Sequence, residues 1–124
     1  MEEGTESPHQ QLLKSLKTAL ESCDADEAAS HYAEDALFID ATAGEQASIR
    51  GREGLRSMFR KMFSTPDAKF EVTSAFGCSG WAGAEWTWSG TNPQDNRRFR
   101  FVGASILQIR DDKVVRETVY YVSK

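Results

Sequence analysis

The sequence changes its hydrophobic period once, near Ala68, and that change constrains the fold more than any other feature. Before it, apolar residues recur at helical spacing: Leu12, Leu13, Leu16, Leu20 and Cys23 in one stretch, Leu55, Met58, Phe59, Met62 and Phe63 in another. Steps of three and four put such residues on one face of a helix. After Ala68 the period is two. Phe70, Val72, Ser74, Phe76 and Cys78 alternate with Lys69, Glu71, Thr73, Ala75 and Gly77, as a half-buried strand requires. Ala82, Ala84, Trp86 and Trp88 share one face of a strand over 81–90. Phe99, Phe101, Gly103, Ser105, Leu107 and Ile109 share one face of a long strand over 98–110, and a last strand is expected over 114–122. Short turns join consecutive strands antiparallel, and the helices must cover one face of the sheet. The pattern predicts an α+β fold.

Local signals set the boundaries. Residues 1–6 read as a disordered tail, and 7–124 as one domain, with Ser7 as N-cap and Pro8 at the first helical position. Asp24, three residues before Glu27, predicts the start of a short second helix running to Ala33, with Ala28, Ala29 and Tyr32 near one face. Ala36 to Asp40 predicts a strand, 41–50 a loop around Gly44, and Gly51 the cap of a third helix that Pro66 stops. Three N-terminal helices on a curved, mainly antiparallel sheet leave a cone with an internal pocket. Gly77, Gly83 and Gly103 mark bends or bulges in that sheet.

Composition excludes several function classes. At 124 residues the chain suits a single domain. A net charge of −4 speaks against non-specific nucleic-acid binding, which needs a basic surface. Arg50, Arg52, Arg56, Arg60 and Lys61 cluster, but Glu34, Asp35 and Glu53 offset them, so they read as a solvated face. No apolar run approaches the ~18 residues of a membrane span. The start, MEEGTESPHQQ, lacks the basic and apolar regions of a signal peptide, so a cytoplasmic protein is expected. Two cysteines far apart and two histidines make neither a disulfide framework nor a metal motif. No Gly-rich phosphate loop is present, and no metal or cofactor is expected.

The element order and five segments resemble the NTF2-like superfamily, within it the ketosteroid isomerase and SnoaL-like polyketide cyclase group. The segments are HYAEDALFID (31–40), IRGREGLRSMF (49–59), GAEWTWSGT (83–91), GASILQI (103–109) and DKVVRETVYY (112–121). The resemblance implies a cone-shaped NTF2-like fold with a pocket for a small apolar ligand, and a homodimer through the outer sheet face. Glu85, Thr87, Arg98, Arg100 and Gln108 would populate that face. Such folds host both enzymes and binders without chemistry.

By the same resemblance, Asp40 sits where ketosteroid isomerases carry their general-base aspartate, at the end of a strand. A carboxylate at the mouth of an apolar pocket can take a proton beside a carbonyl and return it one or two atoms away. Aspartate also caps turns, so Asp40 has two candidate jobs, catalytic base or turn residue. The isomerase tyrosine falls near Leu16 and its protonated aspartate near Ser105; ketosteroid isomerase is itself a worked case for that constellation. The cyclase aspartate of the last strand is replaced in Tyr120-Tyr121-Val122. Other donors are Trp86, Trp88 and Tyr120, if they face inward. Tyr32, Phe38, Phe59 and Phe101 complete the expected pocket wall. His31 could also reach the pocket, although a packed histidine is the commoner case. Arg116 and Glu117 alternate to opposite faces and offer no epoxide-hydrolase pair.

Two functions follow. One is acid/base isomerisation or cyclisation of a small apolar ligand with Asp40 as base and no cofactor. The alternative is a non-catalytic ligand-binding or dimerisation module of the same fold.

Overall fold

A computed structural model describes residues 8–43 and 47–124. The expected N-cap Ser7, the tail over 1–6 and the loop glycine at 44 lie outside them. The elements are α1 (Pro8–Glu21), α2 (Ala25–Ser30), β1 (Tyr32–Asp40), β2 (Ile49–Arg50), α3 (Arg52–Phe63), β3 (Lys69–Cys78), β4 (Trp81–Thr91), β5 (Arg98–Arg110) and β6 (Lys113–Ser123). The third helix therefore follows the first two strands, and is not part of an unbroken N-terminal helical block. The strands form one six-stranded sheet in the order β2-β1-β6-β5-β4-β3. Of the neighbouring pairs, β1–β6 is parallel and the others are antiparallel.

Each helix is held by the residues that suggested it. Leu12, Leu16 and Ala19 of α1 are buried, and α1 lies along β3. It ends in a Schellman-type turn: Asp24 N–H reaches the Ala19 carbonyl and Cys23 takes φ 55°. The Asp24 carboxylate then accepts the Glu27 N–H at 3.1 Å and caps α2. Leu55 and Phe59 of α3 are buried against α2 and β1.

The second helix stops earlier than its sequence suggests, and Tyr32 begins β1. Val114 N–H bonds the His31 carbonyl and Arg52 Nε bonds the Tyr32 carbonyl at 2.8 Å, so these acceptors serve the sheet and α3 instead of a helix. Ile49–Arg50, expected as loop, pair antiparallel with Leu37 and Phe38.

Two irregularities decide which side chains face the helices. In β3 the register shifts between Val72 and Ser74. Phe70 and Val72 point inward, but after the shift Ala75 takes the inner face and Phe76 lies exposed outside. In β6 the register shifts beside Val115: Ile109 pairs with Val114 and Gln108 with Arg116. An uninterrupted alternation from Val114 would carry Tyr120 inward. The extra residue reverses the parity, so Glu117, Val119 and Tyr121 face inward while Tyr120 is 50% exposed on the outer face.

Candidate active site

A cavity of about 250 Å³ lies between the helices and the concave side of the sheet. Leu16 and Phe59 close it from α1 and α3; Tyr32, Phe38 and Asp40 reach it from β1; Trp86, Trp88, Phe101 and Ser105 from β4 and β5. Tyr120, expected there, is absent from the wall, and Tyr121 takes its place because of the β6 bulge. His31 is not part of the wall either. It caps the end of α2, where burial lowers its pKa, against the opposing pull of Glu27.

The wall is mainly apolar, and eight of its residues are aromatic. Phe70 stacks on Trp86 at 5.5 Å, and Phe101 meets Tyr121 edge-on at 5.4 Å. Gly103, opposite Trp86, makes room for the indole: a Cβ at Gly103 would stand 2.5 Å from it. In such surroundings an ionised group stands out, and two carboxyl groups reach the cavity.

Asp40 holds the turn after β1 and also lines the cavity. One oxygen, Oδ1, accepts the backbone N–H groups of Thr42 at 2.9 Å and Ala43 at 3.1 Å, closing the turn after β1. The other, Oδ2, accepts the Tyr121 hydroxyl at 2.6 Å. This bond, with burial and the carboxylate charge, pushes the Tyr121 pKa up to about 12. One lone pair of Oδ2 is left for the cavity.

Glu117 is the group the sequence did not reveal. It is 8% exposed on β6, between neighbours on both sides. Tyr32 donates its hydroxyl to the Glu117 carboxyl, and Ser105 donates a second hydrogen bond. Trp86 Nε1 in turn donates to Ser105 Oγ at 2.9 Å. Burial raises the Glu117 pKa; the Tyr32 and Ser105 donors pull the other way and do not win. Tyr32 is raised well above the ordinary phenol value, by burial first and by Glu117 second. In the run VRETVYY, Arg116 and Thr118 are the more polar phase and Val119 and Tyr121 the less polar one, with Glu117 in step with the latter. That phase was the available signal.

Phe38 lies opposite Glu117, and Asp40 opposite Val119, on the parallel β1–β6 pair. The two carboxylate-bearing residues are thus offset by two positions on adjacent strands, roughly 8 Å between Cα atoms at ~4.8 Å strand spacing and ~3.3 Å rise. Among the described residues no cluster of three or more metal-ligating side chains occurs. No helix among them is long and apolar enough to cross a membrane.

The family model described as a SnoaL-like domain matches residues 13–117. Solved structures share the fold. An NTF-2 like protein of unknown function from Burkholderia xenovorans LB400 is 25% identical, with TM-score 0.75, covering 94% of this chain and 84% of that one. TsrD from Streptomyces laurentii is 22% identical, with TM-score 0.76, covering 96% and 91%. A hypothetical protein with ketosteroid isomerase-like fold from Catenulispora acidiphila DSM 44928, in complex with trimethylamine, is 17% identical, with TM-score 0.76, covering 90% and 85%. No curated protein sequence matches the chain.

Proposed function

The chain belongs to the SnoaL-like domain family, and on that premise we propose that it is a cofactor-independent acid/base enzyme acting on a small apolar ligand that carries a carbonyl group. The observation that carries this is Asp40: a carboxylate held by Thr42, Ala43 and Tyr121 in the wall of an aromatic cavity, with a lone pair of Oδ2 still free. A C–H beside a carbonyl gives its proton to Oδ2 while the electron pair moves onto the carbonyl oxygen. The same proton then returns one or two atoms away, so the net reaction is an isomerisation with no other reactant. Three hydrogen bonds onto Asp40 fix its orientation at the cavity wall.

The test is native mass spectrometry against steroids, aromatic polyketides, terpene epoxides and small phenols, followed by turnover of whichever class binds. Asp40→Asn is expected to slow turnover at least ~10²-fold with the fold intact. An unchanged rate rejects Asp40 as base.

The outer sheet face favours a second role, dimerisation, with or without catalysis. Phe76, Trp81, Ile106, Tyr120 and Val122 are all exposed there. Ile106 lies opposite Gly83 and Thr118, and Ala104 opposite Tyr120, so several of these side chains adjoin across β3 to β6. A contiguous apolar patch on a small protein is a common partner surface. A second copy of the chain is the proposed occupant, in a cytoplasmic setting that suits the free thiols Cys23 and Cys78.

A further inference from the structure

The polar groups of the cavity wall are one-sided. Its hydroxyl protons are committed: Tyr32 and Ser105 donate to Glu117, and Tyr121 donates to Asp40. The Trp86 indole, which can only donate, is committed to Ser105 Oγ at 2.9 Å. A carboxylate has about four acceptor positions. Glu117 receives two donors and Asp40 three, so both of these cavity-lining groups keep acceptor capacity. The wall therefore offers a ligand acceptors and negative charge.

The charges are one-sided too. Among the described residues of the wall, Lys17 of α1 is the one cation besides any ligand, and it is bonded to Glu21 at 2.9 Å. Glu117 is 8% exposed, and its two partners, Tyr32 and Ser105, are neutral. A buried carboxylate without a cation carries a desolvation cost, which an arriving cation offsets. Burial holds the Glu117 pKa up for the same reason, and an opposite charge beside it brings it back down. Aromatic rings surround this end of the cavity. Trp86 lies 5.5 Å from Phe70 and 6.4 Å from Tyr121, which in turn meets Phe101 at 5.4 Å. Ring faces attract cations within about 6 Å, and the rest of the wall suits an apolar body.

We propose that the ligand is an apolar amine bound as its ammonium cation, which pairs with Glu117 beside the aromatic cluster around Trp86. This rests on the reading of the cavity given above and narrows it: the carbonyl compound presented to Asp40 also carries a basic nitrogen. Glu117 selects for that nitrogen. A plain ketone brings no donor to these carboxyl groups, and an anionic ligand meets like charge.

Four probes with one skeleton separate these cases: tetralin, β-aminotetralin, β-tetralone and tetralin-2-carboxylate, bound to the full chain at neutral pH and followed by tryptophan fluorescence. The amine should bind roughly tenfold tighter than tetralin or better, as one hydrogen bond to a charged group gives. The ketone should bind no tighter than tetralin, and the carboxylate more weakly. Glu117→Gln should bind tetralin as the wild type does and lose the preference for the amine; Asp40→Asn should keep it. Should Glu117→Gln not fold, nuclear Overhauser contacts of bound β-aminotetralin decide. The hydrogen on its nitrogen-bearing carbon should lie near the Ser105 β-hydrogens, beside Glu117, and not near Thr42, beside Asp40. Equal affinity for amine and tetralin, a preference for ketone or carboxylate, no binding of any probe, a preference that survives Glu117→Gln, or contacts to Thr42 alone overturns the proposal. Protein-catalysed exchange of the β-tetralone α-hydrogens in deuterated water tests Asp40 separately. Exchange that Asp40→Asn leaves intact, with the amine preference present, rejects the base and leaves the cation site standing. Exchange that Asp40→Asn abolishes, with no amine preference, rejects the cation site alone.

Discussion

Asp40 shows why one residue can carry a turn and a site together. A carboxylate has four acceptor positions; Thr42 and Ala43 use Oδ1, and Tyr121 uses one side of Oδ2. The Tyr121 hydroxyl therefore reports on Asp40. Its folded pKa of about 12 lies above the ordinary value of 10.0, so the bond stabilises the fold below pH 10 and that contribution fades as pH rises toward 12. In Asp40→Asn, one tyrosine should titrate closer to the ordinary value by phenolate absorbance, and the fade should shrink in denaturant melts. Glu117 follows the same sign. Its folded pKa is raised above 4.5, so its contribution is complete in acid and is lost as pH rises through the folded value. Glu117→Gln, which cannot ionise, should therefore gain stability relative to wild type between about pH 4 and pH 8. Urea midpoints at the two ends check it; a constant difference would mean that folding does not shift the Glu117 pKa.

At the scale of the element, spacing gave the right kinds of structure, and register gave the right faces. The inner face of β5 alternates as its sequence does, because its pairing with β4 runs without interruption from Thr91 to Trp81. In β3 and β6 a single extra residue defeats the same rule, and with it the expected inward Tyr120. Glycines in these strands are there for close approach, but with different consequences. A Cβ at Gly103 meets Trp86 at 2.5 Å and the Tyr120 carbonyl oxygen at 2.8 Å, neither of which can move without disturbing the sheet. Gly103→Ala should cost about 1–3 kcal/mol and weaken ligand binding. A Cβ at Gly83 also meets a ring at 2.5 Å, but it belongs to the exposed Phe76, which can swing away. Gly83→Ala should stay within ~0.5 kcal/mol of wild type. Guanidinium melts of both variants give the contrast, and equal costs would contradict it.

For the whole molecule, the sheet has two faces with opposite duties. The inner one encloses the cavity, and the outer one carries the apolar side chains proposed to meet a second copy. The sequence drew attention to Glu85, Arg98 and Arg100 on that outer face, and they are exposed, but Phe76 and Tyr120 join it only because of the bulges. Ile106→Arg, on the outer face, should convert a dimer into a monomer in sedimentation velocity without changing ligand affinity. A wild-type monomer would remove the dimer from consideration.

By itself, the sequence determined the order and type of the elements apart from β2 and the first residues of β1, the position of Asp40 at the end of a strand, and the aromatic faces of β4 and β5. Those follow from period, capping and turn chemistry, which act over a few residues. Only the tertiary structure decided that Glu117 and Tyr121 face the cavity and Tyr120 does not. Strand parity after a bulge depends on which residue of the neighbouring strand each residue meets, and that pairing joins parts of the chain far apart in sequence. The cluster of Tyr32, Trp86, Ser105 and Glu117 is of the same kind: its members come from four strands and meet only once the sheet has formed.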